Sequence, residues 1–157
     1  MDATGKTPAV DWSAWRPGWF GAAQALNDIG LARLLSHYDI PIQGLSQTAL
    51  TQISTVLEDG LAQGTDAASL GRKIRAHVGG DRGLALTIAN TVMACAAQAA
   101  SMRTYVRSGV KQLDWLAGGP NECDKCRDNA AASPYALADF PELPAHPLCA
   151  CASSPHF

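Results

Sequence analysis

The chain has 157 residues, 47% of them hydrophobic, enough to bury a core in one ordinary domain with at most a small appendage. Twelve basic residues against 14 acidic ones leave a net charge of -2, which excludes attraction of the whole molecule to nucleic acid. Residues 1–8 are polar with a single lysine and do not read as a secretory leader, so an oxidising destination is not indicated.

In chain order, residues 1–20 read as an irregular aromatic arm. Trp12, Trp15, Trp19 and Phe20 fall around Arg16-Pro17-Gly18, and rings at this density need a surface to bury them. Two readings stand, an arm folded over the chain's own core or a partner-binding arm. A helical body is expected over 21–109. Ala22, Ala25, Leu26, Ile29, Leu34 and Leu35 carry a first helix as far as Asp39 and Pro41. Ser46 caps a second, with Leu50, Ile53, Leu57 and Leu61 on one face and Gly60 and Gly64 loosening its end. Thr65 or Asp66 caps a third that runs through Leu70 and Ile74 to Val78 and stops at Gly79-Gly80. Asp81 then caps the longest helix, whose stripe is Leu84, Ile88, Thr91 or Val92, Cys95, Ala99, Met102 and Val106. Cys95 reads as a small core residue of that stripe. Thr87, Asn90, Thr91 and Gln98 make this stretch too polar to span a bilayer, so no membrane association is expected. Arg72, Lys73, Arg75 and Arg82 form a local basic cluster that fits a solvated helix face or a phosphate contact.

Residues 110–157 change in texture. Alternation from Val110 to Trp115 suggests a short strand, and Gly118-Gly119-Pro120 a turn. Prolines at 134, 141, 144, 147 and 155 exclude a long helix. Four of the five cysteines lie here, as Cys123-x-x-Cys126 followed by His146-Pro-Leu-Cys149-Ala-Cys151. The spacing C-x2-C-x19-H-x2-C matches two-knuckle zinc sites, in which each half supplies two ligands from its own turn. Disulfides or a redox dithiol are the competing readings. A set of thiols and an imidazole that fills all four positions leaves none for water and fits structural rather than catalytic Zn2+. Five donors compete for four places, and Cys149 or Cys151 completes the set. Only one of the two is expected to face the ion. With few large apolar residues beyond Cys123, ligation is expected to hold this tail where a core does not. The overall expectation is a mainly α fold, a helical body with one long helix followed by a small irregular or β tail resembling a zinc knuckle. His37, His77 and His156 stand apart from any nucleophile arrangement, so no enzyme and no small-molecule substrate are expected.

A long helix, then Gly109-Val110, Trp115, Cys123-x-x-Cys126 and a closing Pro144-Ala-His146-Pro147-Leu-Cys149-Ala-Cys151, together resemble the phage Mu protein F-like family of minor head proteins over residues 45–155. The family usually carries arginine where this chain has Ala150, and often Ala-Arg-Thr-Glu where it has Ala89-Asn90-Thr91-Val92. The resemblance implies a structural minor head protein of a tailed phage or prophage, inside the virion head near the portal and in the host cytoplasm during assembly. It also implies portal and capsid proteins as partners and a part in genome packaging or ejection. The alternative is a zinc-ribbon nucleic-acid-binding module with DNA contact, for which the knuckle offers only Lys125 and Arg127 against Glu122, Asp124 and Asp128.

Overall fold

Cap chemistry sets the helix starts. In the computed structural model, which describes residues 28–119 and 122–157, side-chain oxygens of Ser46, Asp66 and Asp81 accept from the N–H of Ala49, Ser69 and Leu84. Each bond satisfies a donor that a first helical turn leaves open. The helices are α1 (Asp28–His37), α2 (Gln47–Gln63), α3 (Ala67–Ile74) and α4 (Arg82–Arg107), with a 3-10 turn at Arg75–Val78. Gly64 and Gly79, at φ +68° and +67°, close α2 and that turn in the left-handed region that glycine enters without a Cβ penalty. The arm with Trp12, Trp15, Trp19 and Phe20 lies outside the described residues.

The apolar faces meet in one core. Leu31, Leu34 and Leu35 of α1, Ile53 and Leu57 of α2, Leu70 and Ile74 of α3, and Ile88, Val92, Cys95 and Ala99 of α4 are all inaccessible to solvent. Burying each large aliphatic chain stabilises the fold by about 1.5–3 kcal/mol. The stripe expected on α4 departs at its end, because Val106 points to solvent, as does Ile29 on α1. Gly60 does not loosen α2, which runs on through it. A Cβ there would lie 2.1 Å from Leu70 Cδ2, so the bare backbone is what lets α3 seat against α2. By length and composition α4 suffices to cross a bilayer, contrary to the expectation from its polar residues, yet half of its most apolar stretch is buried inside this fold. Thr91 and Gln98 are themselves buried there.

Beyond α4 the chain forms β1 (Gln112–Leu116), α5 (Asp124–Ala131), β2 (Tyr135–Ala136) and β3 (Ala152–Pro155). The strands make an antiparallel sheet ordered β2-β1-β3, in which Trp115 pairs with Ser153 and Leu113 with both Tyr135 and Pro155. Leu113 and Trp115 share one face of β1 and are both buried. Leu113 joins the helical core, whereas Trp115 clusters with Cys126, Leu143 and Cys149. Phe140 touches both clusters and stacks on Trp115 at a centroid distance of 5.7 Å. The tail therefore has a small core after all, built around a tryptophan borrowed from β1. It is also tied to the body. Tyr105 donates to Ser153 O, Ser153 to Gln98 Oε1 and Tyr38 to Pro144 O, while His37 Nε2 lies 2.5 Å from Glu142 Oε1. The fold is mainly α with one long helix and a small sheet.

Candidate metal centre

Two loops and one short helix bring the donors together. Cys123 is the N-cap of α5, and its Sγ accepts the Cys126 N–H at 3.4 Å. The first knuckle is thus the opening turn of a helix rather than a free turn, and both sulfurs are presented from it. The second half turns at Pro147-Leu148, where Leu148 takes φ +58° and Cys149 N–H donates to His146 O. Gly118 makes room for the following segment. A Cβ on it would lie 2.1 Å from Ala150 O, so only glycine permits this approach of the two backbones.

Cys126 sits at the centre. Its Sγ is 3.3 Å from His146 Nε2 and 3.9 Å from Cys149 Sγ. Cys123, Cys126 and His146 have ligand atoms within 4.8 Å of one another, and so do Cys126, Cys149 and Cys151. Cys126 is common to both triads. All five sequence-derived donors are therefore gathered, and the arrangement is compatible with a metal site. Cys149 and Cys151 both lie beside Cys126, so proximity alone does not choose the fourth ligand between them. Residues two apart on an extended segment lie on one face, and the turn at Leu148 aims that face, with both sulfurs, at Cys126. Cys95 remains apart in the helical core, its Sγ 3.8 Å from Tyr38 Oη.

Burial pushes the Cys126 thiol well above its ordinary range, as do the neighbouring cysteine sulfurs, and burial does the same to Cys149. Cys123 is shifted down, chiefly by the N–H that Cys126 directs at its sulfur. One thiolate is thus favoured at the helix start while its two neighbours hold their protons, which a cation bound among them would displace. His146 Nδ1 lies 2.8 Å from Pro147 O, so a proton on Nδ1 is held there and Nε2 turns its lone pair towards Cys126. A cleft of about 200 Å³ opens beside the donors, lined by Gly118, Cys123, Cys126, His146, Leu148 and Cys151.

The other histidines stay outside this cluster. His37 faces Glu142, and His156 Nδ1 lies 3.0 Å from an Asp114 carboxylate oxygen. Helix α5 and the close approach at Gly118 went unread in the sequence. The one available signal for α5 was the cap position itself, Cys123 three residues before Cys126. Compared with family models, with curated proteins and with solved structures, the chain matches none of them.

Proposed function

We propose that this chain is a structural minor head protein of a tailed phage or prophage, of the Mu protein F-like type, with its C-terminal unit braced by one structural zinc ion. The observation that carries the reading is the convergence of Cys123, Cys126, His146, Cys149 and Cys151, the residues of the terminal His-Pro-x-Cys-x-Cys and of the knuckle before it. Thiolate and imidazole donors in this proportion suit zinc among the biological divalent ions. Zinc–sulfur bonds of about 2.3 Å and zinc–nitrogen bonds of about 2.0–2.1 Å imply tetrahedral edges of roughly 3.8 Å between sulfurs and roughly 3.5 Å from sulfur to nitrogen. The Cys126 separations of 3.9 Å and 3.3 Å lie close to these. Zinc would neutralise the thiolates and cross-link α5 to the His146–Cys151 segment, with no position left for a reacting water.

The nucleic-acid reading of the knuckle is weaker because both of its cations are engaged within the chain. Lys125 Nζ donates to Ala145 O, and Arg127 pairs with Asp124. On the head-protein reading, portal and capsid proteins are the partners, and the arm with Trp12, Trp15, Trp19 and Phe20 is the surface that meets them. Two measurements test the two halves separately. Elemental analysis of the purified chain is expected to find about one zinc per molecule, and cysteines paired in disulfides without metal would overturn that half. Capture of the portal protein encoded alongside, and recovery of the chain from purified heads, are expected. Failure of both would overturn the head role.

A further inference from the structure

A second cleft, of about 320 Å³, lies between α3 and the start of α4 and is lined by Ala68, Gly71, Arg72, Arg75, Arg82 and Leu86. We propose that it is a phosphate-binding site. Its three guanidinium groups come from three different elements, α3, the 3-10 turn and the first residue of α4. None has an ion-pair partner among the described residues. Two are held in place by neutral groups or through an intermediary. Arg75 Nε donates to Gly80 O at 2.7 Å, which leaves its terminal amino groups as donors. Arg72 donates to Ser69 Oγ at 2.7 Å, and that hydroxyl in turn bonds Asp66. Arg82 makes no side-chain hydrogen bond among the described residues. Three like charges around one concavity repel one another. An anion placed among them relieves the repulsion, and the planar fork of arginine matches phosphate oxygens in pairs. Gly71 faces α4, where a Cβ would lie in ordinary contact with Leu86 Cα at 3.4 Å. It adds no side chain to the cleft that the arginines line.

The charge of the whole chain hides this. Residues 67–113 hold seven basic residues and one acidic residue, a net of +6, whereas the remaining 110 residues hold five basic and 13 acidic, a net of -8, and the sum is the overall -2. An anion meets a strongly polarised molecule rather than a neutral one. The phosphate has two possible sources, the phosphodiester backbone of a nucleic acid or a free phosphate or polyphosphate, and the site's chemistry is common to both. The proposal does not rest on the zinc reading, since none of these residues touches the donor cluster.

The test uses the full chain and two probes, a duplex DNA of about 20 base pairs followed by fluorescence anisotropy across a salt series, and inorganic pyrophosphate followed by calorimetry. Wild type is expected to bind the duplex, with the combined Arg72→Gln, Arg75→Gln, Arg82→Gln variant at least about tenfold weaker and its logarithmic salt slope shallower by about 2–3 units. Arg82→Gln alone, at an exposed position without a hydrogen bond to lose, guards against misfolding and is expected to flatten the slope by about 1 unit. Arg107→Gln, exposed at the far end of α4, is expected to change nothing. Pyrophosphate binding that the triple variant loses, with no duplex binding, would keep the site and assign it to free phosphate. Binding of neither probe, or equal weakening by Arg107→Gln and Arg82→Gln, would overturn the site.

Discussion

The helical body and the C-terminal unit lie against each other but draw their order from different sources. Leu34, Ile53, Leu57, Leu70, Ile74 and Ile88 are all fully buried in the body, and sums of such burials are what hold a helical domain. In the C-terminal unit the buried set shrinks to Trp115, Cys126, Leu143 and Cys149, with Phe140 and Tyr135 against it, and two of those four are sulfur donors. The same side chains are asked to be core and ligand at once. On the proposed zinc reading, a region this poor in aliphatic surface gains its fixed shape when its donors are cross-linked, whereas the body needs no such aid.

Removing the shared donor should separate the regions most sharply. Cys126→Ser takes one corner from both triads, so bound zinc is expected to fall from about one per chain to near none, and the near-ultraviolet signal of Trp115 to collapse. Helical circular dichroism should persist. A cooperative loss of helix together with the metal would show that the regions are one unit. In the body, Leu57→Ala is expected to cost about 2–5 kcal/mol by transfer and cavity terms, read as a lowered denaturation midpoint with zinc content unchanged. Gly118→Ala forces a methyl onto the Ala150 carbonyl, and a cost of about 1–3 kcal/mol is expected, confined to the C-terminal unit. Zinc titrations of that variant would expose a difference if the backbones cannot part. Cys149→Ser and Cys151→Ser taken singly should each weaken metal binding less than Cys126→Ser, because the other sulfur remains beside Cys126. A loss from one of them as large as that from Cys126→Ser would identify it as the true fourth ligand. The smallest effect concerns Cys95, whose thiol burial pushes up to about 12. The folded state then holds its proton through a range in which the unfolded chain releases it, so stability is full below about pH 9 and declines as pH rises towards about 12. Alkaline melting curves of Cys95→Ala compared with wild type would reveal that slope.

Local rules made the body readable. Ser46, Asp66 and Asp81 announce their helices, Gly64 and Gly79 end theirs, and the apolar spacing between these marks is regular. The donor cluster was readable for a related reason, since ligand spacing is itself a short-range code. What escaped were contacts between distant segments. Helix α5, with the sequence DKCRDNAA, has one buried residue, Cys126, and no stripe to betray it. Strand β3 is Ala-Ser-Ser-Pro, a poor strand former placed by pairing with β1 some forty residues earlier. Phe140 looks isolated in the sequence, and only the folded chain shows it joining Trp115 to the helical core.

Helix α4 also fixes a distance. Twenty-six residues at about 1.5 Å each make a rod of roughly 39 Å. The arginine-lined cleft sits at its first turn, and the C-terminal unit lies against Gln98 and Tyr105 in its second half. If the cleft takes phosphate and the donor cluster takes metal as proposed, the rod would act as a gauge, holding the two bound groups at a set separation along α4.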